Sequence, residues 1–265
     1  MPGKIRVGIG GWTYEPWRGG VFFPEKWPEK RELEYASRKL TAIEVNGTYY
    51  SGFKPQTFAK WRDETPEGFV LTLKASRFCT NRKVLATAAE SIGKFTGQGV
   101  VELGDKLGPI LWQFMATKKF DPDDFKAFLA LLPDKQDGIA LRHAIEVRHE
   151  SFNHPDFVNM CRAAGVAIVF ADSAKYPALA DVTAGFVYAR LEDAKAEVET
   201  GYTSTELDRW ATLAKTWAAG GQPQGLTYAD PAGHQGAEAR DVFVFMINGA
   251  KERAPAAAMA LIERV

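Results

Sequence analysis

The stretch Arg142-His143-Ala144-Ile145-Glu146-Val147-Arg148-His149-Glu150-Ser151-Phe152 decides the fold. Its centre alternates: Ile145 and Val147 share one face and Glu146 and Arg148 the other, the period-two pattern of a β-strand. A strand with aliphatic residues on one side and charges on the other is ill suited to a simple sandwich. It suits a parallel barrel, in which helices cover the outer, aliphatic face and the inner face opens into a mouth that can hold polar groups.

Working outward, seven further short runs of aliphatic or β-branched residues carry strand character: Ile5 to Gly10, Ala42 to Asn46, Val70 to Lys74, Ile110 to Phe114, Ala167 to Asp172, Phe186 to Leu191 and Val242 to Asn248. With Ala144 to His149 they make eight. Helical periodicity separates most of them, in Leu33, Ala36 and Leu40, in Phe58 and Trp61, and in Phe125, Phe128, Leu129 and Leu132. It returns in Val158 and Cys161 before Gly165, and in Leu207, Trp210, Ala211, Ala214 and Trp217. Thr203 with Glu206 predicts a capping box, Gly220-Gly221 a helix stop, and Pro122 and Pro255 first-turn positions. Strand and helix alternating eight times predict an α/β fold, a single (β/α)8 TIM-like barrel over residues 1–265. One repeat is irregular, because residues 173–185 hold no long helical pattern.

The chain carries 33 basic and 33 acidic residues, so its net charge is zero and no whole-surface attraction to nucleic acid or anionic lipid is expected. Cys79 and Cys161 fit no metal-ligand spacing and read as reduced thiols, which with the absence of a signal-peptide pattern or a long apolar run predicts a cytoplasmic protein without a membrane span. Oligomeric state is not legible.

Parity then assigns an inner lining: Glu44 and Asn46, Thr72 and Lys74, Gln113, Glu146 and Arg148, Asp172, Tyr188 and Arg190, and Asn248. Unpaired ions are costly to bury, so these charges must pair, bind something or meet solvent. Two readings stand: a site at the C-terminal ends of the strands, where barrel enzymes place their catalysts, and an ion-pair network that only fills the barrel. As a site, Glu44, Glu146 and Asp172 are the candidate bases, and His149 the candidate proton donor. His149 is equally a loop residue capping the helix that Pro155 begins. Lys74, Arg77, Arg148 and Arg190 would hold an anion. Trp12, Tyr14, Asn46, Gln113, Tyr188 and Asn248 complete the candidate substrate-binding set, the aromatics as a pocket wall or stacking platform. The run Lys74 to Lys83 has four basic residues and no acid, which suits a phosphate or carboxylate or a solvated loop. His234, in the polar segment 222–240 before the last strand, is expected on the opposite face.

In order along the chain, Gly8-Ile-Gly-Gly-Trp-Thr-Tyr, Trp17-Arg-Gly, Glu44-Val-Asn-Gly-Thr-Tyr-Tyr, Lys74-Ala-Ser-Arg-Phe, Leu107-Gly-Pro-Ile-Leu-Trp-Gln-Phe, Glu146-Val-Arg-His-Glu-Ser-Phe, Ala171-Asp-Ser and Phe186-Val-Tyr-Ala-Arg-Leu resemble the domain-of-unknown-function 72 family. The resemblance implies a TIM-like barrel and brings no activity with it. The sequence departs from the family pattern at Asn81, where a histidine is usual nearby, at Glu192, where Leu-His-Gly is usual, and at Met246-Ile-Asn-Gly, where Phe-Asn-Asn-Asp is usual. Two histidines and an acid are thereby lost, which weakens a metal-dependent reading.

The expected function is hydrolysis of a small anionic molecule or phosphodiester at the barrel mouth. A variant of it would place Mg²⁺, Mn²⁺ or Zn²⁺ among Glu44, Glu146, Asp172 and His149, although no ligand spacing requires a metal and no cofactor is expected. The competing class is a non-catalytic ligand-binding or nucleic-acid-interacting barrel.

Overall fold

The computed structural model describes residues 2–233 and 238–265, so His234 lies outside the described residues. Eight parallel strands close on themselves in sequential order. They are β1 (Ile5–Gly10), β2 (Ala42–Val45), β3 (Val70–Lys74), β4 (Leu107–Gln113), β5 (His143–Glu146), β6 (Ala167–Asp172), β7 (Phe186–Leu191) and β8 (Asp241–Met246). Closure is made by β8 pairing with β1, Val242 opposite Ile5 through Met246 opposite Ile9. At Gly8 the wall leaves no room for a side chain, since a Cβ there would sit 1.8 Å from the Ala42 carbonyl oxygen on β2.

Four expected strands differ at their ends. β4 starts three residues earlier than the pattern predicts, because Gly108 and Pro109 read as a turn. In the barrel Gly108 is what lets β4 pass β3, for a Cβ there would lie 2.6 Å from Val70 Cγ1, and the β3–β4 register shifts at this point. β2, β5 and β8 instead end before Asn46, His149 and Asn248, at Val45, Glu146 and Met246.

The outer faces of the strands carry one continuous apolar core. Val7, Ile9, Ile43, Leu71, Leu73, Ile110, Trp112, Ile145, Val187 and Val244 meet the inward faces of the helices there. The helix Pro122–Leu129 shows the logic: Asp121 caps it by accepting from the amides of Asp123 and Asp124, and Phe125 and Phe128 are buried. Phe128 meets Phe114 edge-on at 5.3 Å, and Phe125 meets Phe157 at 5.2 Å. Each buried Phe contributes about 1.5–3 kcal/mol before entropy. The long helix Ser204–Ala218 begins with the full Thr203–Glu206 capping box. The helix Ala89–Thr96 buries Ile92 and Phe95, and with only these two large apolar residues it offers too short a stripe to read from periodicity.

No helix forms over residues 173–185. The chain returns as an extended segment fixed by Thr183, whose hydroxyl accepts from the Ile168 amide and donates to the Val166 carbonyl. Asp181 accepts from the amides of Ala229 and Asp230, and Leu179 bridges Thr227, so part of the polar segment before β8 buttresses the repeat that lacks a helix. Cys79 and Cys161 are both free and buried. Among the described residues no helix is long and apolar enough to cross a membrane.

Candidate functional site

The barrel interior is layered. Ala42, Val70, Leu111, Ala144, Val169, Phe243 and Phe245 form an apolar floor. Below it, toward the N-terminal ends of the strands, Arg142 and Arg6 lie against the Phe243 ring at 5.3 and 5.6 Å, and Arg6 pairs with Asp241 at 3.0 Å. Above the floor the lining turns ionic, because Glu44, Gln113, Glu146 and Arg190 stand at the same level near the C-terminal ends of β2, β4, β5 and β7.

Arg190 is the hub and is only 2% exposed. Its Nε donates to Glu44 Oε2 at 3.0 Å and its Nη2 to Glu44 Oε1 at 3.1 Å, a bidentate pair. Its Nη1 donates to Glu146 and, at 3.1 Å, to Glu192 Oε1. Glu146 also accepts from Gln113 at 2.9 and 3.0 Å and from Arg148 Nε at 2.6 Å. Thr72 donates to Tyr188, whose hydroxyl donates in turn to Glu44 Oε2 at 2.8 Å. Burial alone would raise the Glu146 carboxyl, but Arg190, Arg148 and Gln113 outweigh it and hold its pKa down at about 2. Burial likewise works against the Arg190 cation, and Glu146 and Glu44 more than offset it, leaving its pKa above the usual guanidinium range.

Lys74 stands apart from this network. It is 9% exposed, its Nζ lies 4.5 Å from the centre of the Tyr49 ring, and it makes no ion pair with a described residue. Desolvation first, and the charge of Arg190 second, bring its pKa down to about 8 against the pull of Glu44 and Glu146. Arg148 stacks on Tyr176 at 4.4 Å, and among the described residues only its Nε is engaged, by Glu146. At the rim, burial raises the Glu192 carboxyl above its ordinary value despite Arg190.

The structure therefore brings together Glu44, Lys74, Gln113, Glu146, Arg148, Tyr188 and Arg190. It does not bring Asp172 or Asn248 into the lumen. On β6 the inward residues are Ala167 and Val169 and the outward ones Ile168 and Phe170, so Asp172 shares the outward parity. Burial and the neighbouring Asp193 raise its pKa to about 6, with Arg209 opposing. β8 ends at Met246, so Asn248 lies beyond the strand, exposed at the rim beside Glu192. The inward assignment of both residues is corrected: Asp172 follows the outward parity of β6, and Asn248 stands past the end of β8, where strand alternation no longer applies.

His149 caps the turn Glu150–Phe152, its Nδ1 accepting from the Ser151 amide, while the cap of the helix beginning at Pro155 is His154. In the basic run, Arg82 is spent locally, donating to the carbonyls of Phe78 and Thr87 and to Ser91 Oγ. Arg77 is exposed beside Phe78. Trp12 packs edge-on against Trp61 at 5.3 Å, and Tyr14 against Trp17 at 5.1 Å with the Lys251 ammonium over its face. Asn46 borders a small cavity with Trp12 and Trp61. Three residues of the mouth are not among those that the sequence assigns to the site: Tyr49, Tyr176 and Glu192, the last of which stands out there only as a departure from the family pattern. For Glu192 the signal was available, since it directly follows the C-terminal end of β7.

Among the described residues no group of three or more His, Cys, Asp or Glu is arranged to hold a metal ion. The carboxylate oxygens of Glu44 and Glu146 are occupied by Arg190, Tyr188, Gln113 and Arg148, Asp172 faces other charges, and His149 turns its Nδ1 to Ser151.

A DUF72 protein from Thermotoga maritima superposes with a TM-score of 0.73 at 20% identity, covering 98% of each chain. Endonuclease IV from Thermus thermophilus aligns more distantly, with a TM-score of 0.55 at 11% identity over 98% of this chain and 100% of that one. Both likenesses speak to the fold alone. In sequence, the UPF0759 protein YecE of Escherichia coli is 26% identical over 152 residues, so that the match spans 56% of this chain and about half of that protein. The profile described as protein of unknown function DUF72 matches residues 6–265, nearly the whole chain, and on that match the chain belongs to the DUF72 family.

Proposed function

We propose that the barrel is an enzyme that hydrolyses an anionic, phosphate-bearing substrate entering at the C-terminal mouth. The observation that carries this reading is Lys74, a nearly buried cation without a carboxylate partner among the described residues, although Glu44 and Glu146 are buried in the same lumen. Desolvating a cation without a counter-ion is costly, and an anionic ligand would supply the missing charge. Arg148 offers free guanidinium N–H groups beside it. Lysine as a point charge and arginine as a fork together suit a phosphate better than either alone.

In this reading Glu44 and Glu146 hold Arg190 in place and do not act as bases. Glu192, whose carboxyl is raised by burial at the rim, is the group placed to give or take a proton. The Thermus neighbour is named an endonuclease, which makes a phosphodiester the first substrate class to try. A non-catalytic anion-binding barrel is the second reading, favoured by the saturation of Glu44 and Glu146 by Arg190, Gln113, Arg148 and Tyr188.

Calorimetric titration with inorganic phosphate, together with turnover of bis(p-nitrophenyl) phosphate, tests both. The proposal expects saturable binding that Lys74→Met abolishes and turnover that Glu192→Gln abolishes with phosphate binding retained. Binding without turnover supports the second reading. Absence of phosphate binding, or full binding by Lys74→Met, overturns both.

A further inference from the structure

A cavity of about 250 Å³ lies beside the mouth, lined by Gly11, Trp12, Thr13, Asn46, Phe53 and Trp61, together with Val45 and Gly47. Its walls are aromatic: Trp61 meets Trp12 edge-on at 5.3 Å and Phe53 at 5.1 Å, and Trp12 and Phe53 are only partly buried. No ionisable side chain lines it. Its polar groups are the Asn46 amide and the Thr13 hydroxyl, which can donate and accept at the edge of a ring but cannot neutralise a charge.

Its position relative to the anion site follows from strand register. Val45 pairs with Leu73, and the turn that follows β2 lies against the end of β3, where the Thr48 hydroxyl donates to the Lys74 carbonyl at 2.7 Å. The cavity thus lies one strand away from Lys74, and a ligand with a group in each would cross the turn at Asn46. The floor of the cavity is kept open by glycine: nothing lies within 4 Å of a Cβ built on Gly11, whose φ is +73°, and a Cβ on Gly10 would come within 3.0 Å of Asn46 Nδ2.

We infer that this cavity is a subsite for a flat, uncharged ring, so that the substrate class is a phosphate ester carrying an aryl group or a nucleobase. The inference rests on the anion-site reading of Lys74 and Arg148 and extends it. A neutral slot with aromatic walls, an amide and a hydroxyl recognises a ring by stacking and edge hydrogen bonds. A quaternary ammonium, the other usual guest of an aromatic box, fits less well beside two cations.

The test compares inorganic phosphate, phenyl phosphate and uncharged adenosine on the intact chain by calorimetry. Stacking at one ring predicts that phenyl phosphate binds about tenfold more tightly than inorganic phosphate. Trp12→Ala should remove that advantage and leave inorganic phosphate binding as it was. Lys74→Met should abolish phosphate binding and leave adenosine binding intact. Equal affinities for phenyl and inorganic phosphate on the native chain overturn the ring subsite while sparing the anion site, and this comparison needs no variant that might misfold. If no phosphate binds but adenosine does, and Trp12→Ala abolishes that, the subsite stands and the anion site falls. An advantage for phenyl phosphate that persists in Trp12→Ala also overturns the assignment.

Discussion

Replacing Arg190 with methionine should steepen the gain in stability on acidification between pH 7 and 5. In the native chain the Arg190 guanidinium is shared by three carboxylates, Glu44, Glu146 and Glu192, and the first two are fully buried. Methionine fills similar volume but leaves Glu44 with the Tyr188 hydroxyl, and Glu146 with Gln113 and Arg148. Removing one partner of a buried pair costs about 3–5 kcal/mol at neutral pH, because the surviving charge stays desolvated. For a chain of this length that corresponds to a fall of about 6–10 °C in Tm. The sign with pH is the sharper readout. The Glu146 pKa is depressed in the folded chain from 4.5 to about 2. Its contribution of about 3 kcal/mol is therefore present above the unfolded pKa and is lost as pH falls from about 4.5 to 2. In Arg190→Met a buried carboxylate lacks its counter-ion and is better accommodated by taking up a proton. The variant should thus gain more stability than the native chain on acidification from pH 7 to 5, over and above the gain that Asp172 gives to both. Urea unfolding of both proteins at pH 7, 6 and 5 gives the comparison. A loss below about 1 kcal/mol at pH 7, or parallel pH profiles, would show that Arg190 is not the electrostatic hub.

Three further perturbations check other parts of the site. Lys74 has its folded pKa depressed to about 8, so the native chain should gain stability as pH rises from about 8 toward 10.5, where the unfolded state holds the extra proton. Lys74→Met should lose that rise and be more stable than the native chain at pH 7; equal stability curves would refute the desolvation argument. The Asp172 carboxyl has its folded pKa raised to about 6, a stabilisation present below pH 4 and lost as pH rises through 6. Asp172→Asn should therefore be relatively more stable at pH 7 than at pH 4 when compared with the native chain, and a difference that does not change with pH would contradict the outward, acid-rich setting of this residue. His149→Ala removes a cap and should cost about 1 kcal/mol without changing phosphate affinity, whereas a loss of turnover at unchanged Tm would return His149 to the chemistry.

The order of strands and helices was legible because two periods are enough to separate them. Alternation at Ile145, Glu146, Val147 and Arg148, set against stripes such as Phe125, Phe128 and Leu129, needs no partner to be read. The capping box at Thr203 and the helix-free repeat at 173–185 were legible for the same reason, since each is local. Strand ends were not. Gly108 and Pro109 look like a turn until β3 is placed beside them, Asp172 looks inward until the parity of β6 is fixed by what lies across the lumen, and Asn248 looks like strand until β8 is seen to end at Met246.

What the sequence determined by itself is the barrel and the level at which its polar residues stand, because strand period and burial preference are properties of each segment alone. Which charges meet is decided only by closure of the barrel. Glu44, Glu146 and Arg190 are separated by scores of residues, and it is the register of β1 with β8 and β2 that brings them to one height across the lumen. The same closure leaves Lys74 in the lumen without a carboxylate partner among the described residues, a distinction that composition and spacing could not draw, because pairing depends on distances across the interior and not on order along the chain.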